Sequence, residues 1–350
     1  MVAYWPNGVV RITKNCLDKI KTNYMIQNRA KIVLTRRWPS RVETQMAQLG
    51  ELVINEQDTP MSAEMLSQIL LDADVVCPTV TDNFPEVFFT QGKLRTKLLA
   101  NFGVGFNHID VAAAHRTGVQ VTNTPGVLTE ATAEIALTLL LMSARRAGEG
   151  QRHVRAGAWQ GWSPTHMLST QVTGKTLGIV GMGRIGLAFA RKAFYGLGMK
   201  ILYANRRPLD ESQVTPLKAE FVELDTLLAR SDFVSLHCPS TPATHHLLNA
   251  QRLSLMQPHA HLINTARGDI IDEISLVNAL RDGVIAGVGL DVYEHEPAIT
   301  PGLTQLEQAV LLPHMGSGSV ESREAMGMRA LANVQAYLQR QPLPDLVALT

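Results

Sequence analysis

The sequence predicts an α/β protein of two units, each organised around a largely parallel sheet, the second of them doubly wound. Three observations carry this reading. The chain has 350 residues, which at roughly 150 residues per domain is length for about two domains. From residue 31 onward, short β-rich runs alternate with helical patterns, the signature of successive βα units. In the second half six strand-like runs recur with helical spacers, and the first of them ends in a glycine loop that opens a helix.

Composition sets the outer limits. Apolar residues make up 45% and charged residues 18%, enough to bury a large core and to exclude disorder as the main state. With 32 basic against 31 acidic side chains, the net charge of +1 argues against a nucleic-acid or anionic-membrane surface. Cys16, Cys77 and Cys238 are too few and too scattered for a disulfide framework or a zinc site, and no other metal-ligand cluster is visible. The most apolar stretch, Ile135 to Ala144, is stopped by Arg145 and Arg146; it is about half of the roughly 20 residues that a membrane span needs. No apolar signal segment opens the chain. A soluble cytoplasmic protein is expected.

Residues 1–24 show no clean period and carry Arg11, Lys14, Lys19 and Lys21 against Asp18 alone. They read as a disordered N-terminal extension or an upstream start, with a targeting peptide as the alternative. The first unit then begins. Strands are predicted at 31–35, 52–54, 75–77, 98–102 and 119–122, with helical stretches near 40–49 and 63–71. No glycine-rich phosphate loop follows any of them, so this unit reads as α/β without a dinucleotide. Asn123-Thr-Pro-Gly126 is a turn cluster and a candidate crossing between units.

Thr129 to Arg146 has a strong helix signature, with Thr129 or Thr132 as N-cap and a basic last turn. It is apolar on more than one face, so it is expected to be buried between domains or in a subunit interface. The second series has strand-like runs at 177–180, 201–203, 233–236, 262–264, 285–292 and 310–312. A last amphipathic helix, Val320 to Leu338, is placed to return to the first unit and make it discontinuous.

The chemistry sits at the ends of the later strands. Gly181-Met-Gly183-Arg184-Ile185-Gly186 follows an apolar strand and opens a helix at Leu187 to Ala193, the context a dinucleotide loop requires. Gly181 permits the tight turn, Gly183 lets backbone approach a pyrophosphate, and Gly186 lets the helix lie close to the strand. The helix N-terminus then faces the phosphates. An acidic residue about 20 positions on would bind a ribose 2′-hydroxyl, but Asn205 stands there, followed by Arg206 and Arg207. Two guanidinium groups and no carboxylate favour a 2′-phosphate, hence NADP(H) with NAD(H) as the alternative; a solvated basic turn before Pro208 is the bland reading.

Asn264-Thr265-Ala-Arg267-Gly-Asp places an arginine just past a buried strand, suited to grip a carboxylate. Gly289-Leu-Asp291-Val-Tyr-Glu-His-Glu296-Pro297 follows another strand, and Leu311-Leu-Pro-His314-Met-Gly316 follows the last. Arginine, carboxylate and histidine thus emerge from one sheet edge, where an open α/β sheet binds its ligand.

These segments, with Gly103-Val-Gly-Phe-Asn-His-Ile-Asp110 and Asn123–Gly126, recur in an order that resembles the D-isomer-specific 2-hydroxyacid dehydrogenase family over roughly residues 30–340. The glyoxylate/hydroxypyruvate reductase (D-glycerate dehydrogenase) branch is the most similar. The resemblance implies two Rossmann-like or flavodoxin-like domains: a discontinuous substrate domain at 25–124 plus 317–350, and an inserted NADP-binding domain at 125–316, with the active site in the cleft between them. It implies that Arg267 holds the substrate carboxylate and orients the keto oxygen, that His314 is the acid/base, and that Glu296 orients it. Backbone amides around Val104 and Gly105 would bind the carboxylate, and Asp291 the nicotinamide carboxamide. Thr265, Pro239 and Gly316 would lie near the cofactor. The family also implies a homodimer, and Trp159 and Trp162 match a loop that reaches a neighbour's active site, or are ordinary packing residues.

The expected activity is hydride transfer from NADPH to the C2 carbonyl of a small 2-oxo acid, glyoxylate or hydroxypyruvate. The alternatives are an NAD-dependent dehydrogenase of another D-2-hydroxy acid and a dinucleotide-sensing corepressor-like protein. Among rival residues, His295 is expected outside the site, because neighbours in an extended segment point opposite ways. His108 is expected to be structural, His245 and His246 to face solvent, and Asp269 and Asp272 to cap the following helix.

Overall fold

The computed structural model describes residues 29–349; the extension expected at residues 1–24, and Cys16 within it, lie outside the described residues. The described chain divides into two compact units. One comprises the residues up to Pro125 together with those from Met326 on, and the other is Gly126–Ala325.

The first unit carries a five-stranded parallel sheet of β1 (Lys31–Leu34), β2 (Glu51–Ile54), β3 (Val75–Cys77), β4 (Leu98–Ala100) and β5 (Gln120–Thr122), in the order β2-β1-β3-β4-β5. That is the flavodoxin-like order. Helices α1 (Ser40–Leu49) and α2 (Ala63–Asp72) follow the first two strands, as their apolar spacing predicts. Ser62 caps α2 by accepting from the Met65 amide. Helices α3 (Glu86–Thr90) and α4 (Val111–Arg116) complete the run, and Asp110 caps α4 in the same way through Ala113. The core on one face is Val33, Leu70, Val76, Phe84, Leu99 and Val121.

The second unit opens with α5 (Thr129–Ala144) and α6 (Ala147–Arg155). Its sheet contains β6 (Thr176–Val180), β7 (Lys200–Ala204), β8 (Glu220–Phe221), β9 (Phe233–Leu236), β10 (His261–Asn264), β11 (Gly287–Leu290) and β12 (Ala309–Leu311). All are parallel, in the order β12-β11-β10-β9-β6-β7-β8, with the chain reversing direction of progress between β6 and β9. The two-residue β8 is a seventh strand beyond the six expected; two exposed residues leave no periodicity to read. Successive residues of each strand face opposite ways, so Val180 and Leu262 enter one core layer while Ile179 and Ile263 enter the other. Helices α7 (Arg184–Leu197), α8 (Glu211–Val214), α9 (Leu224–Arg230), α10 (Ala250–Leu253) and α11 (Glu273–Arg281) complete the layers. Gly178 of β6 is required by packing, since a Cβ there would stand 2.3 Å from Ser231 Oγ and 2.4 Å from Leu227 Cδ2.

One expectation needs correction here. Helix α5 lies on β10, β11, β12 and α7 of its own unit; Leu139 and Leu140 are fully buried. Neither Thr129 nor Thr132 caps it. The N-cap is Leu128, without a side-chain bond, and Thr132 is buried one turn inside.

The last helix, α12 (Val320–Leu338), is continuous across the division between units. The two ends of the helix are held differently. Ser322 Oγ donates to the Val127 carbonyl at 3.2 Å. Further along, Gly327 is pressed against Val42 of α1, and Arg329 and Asn333 both bond the buried Asp345, at 2.6 and 2.9 Å. The Val347 amide then donates to Val121 of β5 at 2.9 Å, which returns the C-terminus to the first sheet.

Two histidines make the second unit acid-sensitive. His261, 4% exposed, accepts or donates to Ser143 Oγ at 2.8 Å, and His237 lies against Phe189. Burial lowers each to about 4. The unfolded chain binds their protons near pH 6.5 while the folded chain does not, so stability falls as pH drops from about 6.5 to about 4. The loss is about 3 kcal/mol per histidine. Denaturant midpoints measured at pH 7, 5.5 and 4 should fall in step, and His261→Gln should flatten the slope; an unchanged slope would refute the assignment.

Candidate active site

At the end of β6 the chain turns through Gly181, whose φ is +89°. A Cβ here would stand 2.5 Å from the Cys238 amide nitrogen, so both conformation and space require glycine. Gly186 lies against the Gly181 carbonyl, where a Cβ would come within 2.9 Å. Gly183 differs from both: it is exposed, caps α7, and has nothing within 4 Å of where a Cβ would be. A bare backbone at a helix N-terminus with open space before it is what a pyrophosphate needs, so the loop fits a dinucleotide. Asn205, just past β7, accepts from the Met182 amide at 2.7 Å and bonds its carbonyl as well. Its side chain therefore braces the loop. Arg206 and Arg207 follow it, both exposed.

Past β10, Asn264 pins a turn. Fully buried, it accepts from the Ala266 amide at 3.0 Å and donates to the Arg267 carbonyl at 2.8 Å. Arg267 is thereby held extended, and its Nη1 donates to the Ala266 carbonyl at 2.6 Å. Burial pulls its guanidinium below the usual value, against the charges of Glu296 and Asp269, yet an arginine remains protonated. Thr265, buried, leaves its hydroxyl without a hydrogen-bond partner among the described residues.

His314 Nδ1 and Glu296 Oε2 are 2.7 Å apart. The other Glu296 oxygen accepts from the Tyr293 amide at 3.0 Å, so the carboxylate is aimed from two sides. Burial works to raise the Glu296 carboxyl, but the hydrogen bond and charge of His314 outweigh it and hold it low. Glu296 is therefore ionised at neutral pH. With Nδ1 occupied, Nε2 is the ring atom left for proton exchange. His314 has φ +51°, a left-handed conformation uncommon for such a residue. Asp291, 1% exposed, holds it there: its two oxygens accept from the Met315 and Gly316 amides, each at 2.7 Å.

Arg267, Glu296, His314, Asp291 and Gly316 thus meet in one network at the carboxyl ends of β10, β11 and β12, while the glycine loop and Asn205–Arg207 occupy the ends of β6 and β7. In the first unit, the Val104 and Gly105 carbonyls accept from Asn123 Nδ2 and Asn101 Nδ2, at 2.9 and 3.0 Å, and His108 bonds Asn101 Oδ1 at 3.0 Å. Pro239 accepts from Thr244 Oγ1 at 2.7 Å. His295 is exposed. Asp272 caps α11 through the Ser275 amide, but Asp269 instead accepts from Ser240 Oγ at 2.5 Å. His246 does not simply face solvent: Nε2 is 2.7 Å from Glu294 Oε1, a partner 48 residues away that no local pattern could announce. Trp159 and Trp162 are 54% and 82% exposed. The bracing of Asn264 and Asn205 was missed because only the fold turns their amides onto backbone.

Residues 137–316 match the family described as D-isomer specific 2-hydroxyacid dehydrogenase, NAD binding domain. A glyoxylate reductase of Thermococcus litoralis is 40% identical over 321 residues, covering 91% of this chain and 96% of that protein. Among solved structures, the TT0316 protein from Thermus thermophilus superposes with a TM-score of 0.83 at 39% identity, covering 91% of this chain and all of that one. An NADPH-dependent glyoxylate/hydroxypyruvate reductase from Sinorhizobium meliloti, solved with NADP and malonate, gives a TM-score of 0.80 at 33% identity, covering 92% and 97%. Among the described residues, no helix is long and apolar enough to cross a membrane, and no group of three or more His, Cys, Asp or Glu could hold a metal ion.

Proposed function

The chain belongs to the D-isomer specific 2-hydroxyacid dehydrogenase family, and we propose that it is an NADP(H)-preferring reductase of glyoxylate and hydroxypyruvate, yielding glycolate and D-glycerate. The observation that carries the reading is the His314–Glu296 pair at 2.7 Å, in one charge network with Arg267. Arg267 grips the substrate carboxylate in a fork and stabilises charge developing on the carbonyl oxygen. His314 donates the proton from Nε2 to that oxygen, and the Glu296 carboxylate at Nδ1 holds the ring in the orientation for it.

When bound, the reduced nicotinamide supplies hydride to C2. Gly181, Gly183, Arg184, Ile185 and Gly186 would hold its pyrophosphate and Asp291 its carboxamide, with Thr265, Pro239 and Gly316 beside it. Arg206 and Arg207 would receive a 2′-phosphate, with Asn205 near the ribose. The named activity of the relatives supports the substrate choice. A second copy of the chain is the fitting cover for Trp159 and Trp162, checked by solution mass.

Initial rates with NADPH and NADH, each against glyoxylate and hydroxypyruvate, test the reading. NADPH should be favoured. Replacing both arginines, Arg206→Ser with Arg207→Ser, should lower kcat/KM for NADPH by about 10–100-fold, since a hydrogen bond to a charged group contributes roughly 1.5–3 kcal/mol. NADH kinetics should barely change. A wild-type preference for NADH would sink the cofactor assignment and leave the reaction standing. Tight cofactor binding without turnover of either acid would point to another 2-oxo acid or to a sensing role.

A further inference from the structure

We infer that Glu273 is a positioning residue for the His314–Glu296 pair, acting through the backbone that carries Glu296; the inference rests on the reading of His314 as the proton donor. Glu273 is the first residue of α11 and is 1% exposed. No salt bridge reaches it among the described residues, and of the basic groups only the charge of His295 acts on it. A buried, unpaired carboxylate is costly unless its oxygens are hydrogen-bonded. The start of a helix relieves part of that cost, but an exposed carboxylate one turn away would do the same without burial. Its placement calls for a second reason.

The hydrogen bonds supply one. Glu273 Oε1 accepts from the Glu294 amide at 3.0 Å, and Oε2 accepts from the Thr300 hydroxyl. These two partners stand two residues before Glu296 and four after it, so a single buried carboxylate closes the segment into a loop. Glu296 then projects from a backbone fastened on both sides. Its Oε1 is set by the Tyr293 amide next to the first fastening point, and its Oε2 meets His314. If the Glu294 backbone moves, the donor to Glu296 moves with it and the carboxylate loses its aim at the ring. Burial pushes the Glu273 carboxyl up, while the Thr300 and Glu294 bonds oppose it; each of its two oxygens has one of these bonds.

The test compares Glu273→Ala, Glu273→Gln, Thr300→Val and Glu296→Gln in the full-length protein. Ala removes both acceptors. Gln keeps the contact, because its carbonyl can accept from Glu294 and its amide can donate to Thr300. The expected result for Glu273→Ala is a kcat lower by about 10–100-fold, as for a displacement of about 1 Å away from the chemistry. KM for glyoxylate and the Kd for NADPH should stay near wild type. Its pH profile of kcat should follow that of Glu296→Gln, and Glu273→Gln should recover most of the activity. Amide exchange should accelerate in peptides spanning residues 293–300 and not in those from α11 or β11.

Should Glu273→Ala fail to fold, Thr300→Val asks the same question by removing one fastening, with a smaller loss of kcat and the same local rise in exchange. The inference is overturned if kcat survives in these variants, or if it falls together with NADPH binding and with exchange rising throughout the unit. Failure of the wild type to reduce either acid would defeat the functional reading instead; the exchange comparison needs no turnover and would still decide whether Glu273 fastens the segment.

Discussion

His314→Asn should lower kcat on the order of 10²–10⁴-fold, the range expected for loss of a positioned general acid, with the Kd for NADPH unchanged. Asparagine is the informative substitution because the backbone at this position has φ +51°, which asparagine tolerates better than alanine or most other residues. The Asp291 carboxylate would keep its two bonds to Met315 and Gly316, so the turn should survive and the loss would report the imidazole alone. Single-turnover and steady-state rates with glyoxylate, alongside a cofactor titration, make the measurement. Activity within tenfold of wild type would remove His314 from the proton step.

Gly268→Ala should cost about 3 kcal/mol or more in stability, at the upper end of what overpacking causes, and should abolish turnover with it. A Cβ at this position would stand 1.9 Å from the Tyr293 carbonyl carbon, 2.2 Å from its oxygen and 2.3 Å from the Glu294 nitrogen. All three are backbone atoms, so no rotamer change can relieve the clash. The chain from Tyr293 to Glu294 would have to retreat, breaking the donors to Glu296 and to Glu273. Gly196→Ala is the matched control. It lies within α7 with nothing inside 4 Å of the new carbon, and should stabilise by up to about 1 kcal/mol by trading glycine for a better helix former. Denaturant unfolding of the two variants side by side would decide; equal stabilities would contradict the close packing of Gly268 on Tyr293.

Much of this architecture is legible in the residues. The five strands of the first sheet and six of the seven in the second are visible as short apolar runs between turn signals, because a strand buried on both faces is nearly continuous in Val, Ile and Leu. What the runs do not carry is their lateral order: the second sheet reads β12-β11-β10-β9-β6-β7-β8, and that order brings the ends of β10, β11 and β12 side by side. Arg267, Glu296 and His314 could be proposed from their positions after strands. The role of Glu273 could not, since its partners lie 21 and 27 residues away. Helix α5 shows the same limit from the other side. Its apolar breadth says that it is buried, but a helix sequence does not say by what, and the answer is its own sheet.

By itself, then, the sequence determined the alternation of strands and helices, the phosphate-type glycine loop, and the three residue types at successive strand ends. These depend on local sterics, on glycine's freedom and on the periods of helix and strand, all of which act within a few residues. The tertiary structure decided how the polar groups are satisfied. Asn205 braces the glycine loop, Asp291 holds His314 in a left-handed turn, Glu273 fastens the segment before and after Glu296, and His246 pairs with Glu294. Each is a bond between segments distant in the chain, and each exists because a buried polar group must find a partner that only the assembled fold can supply.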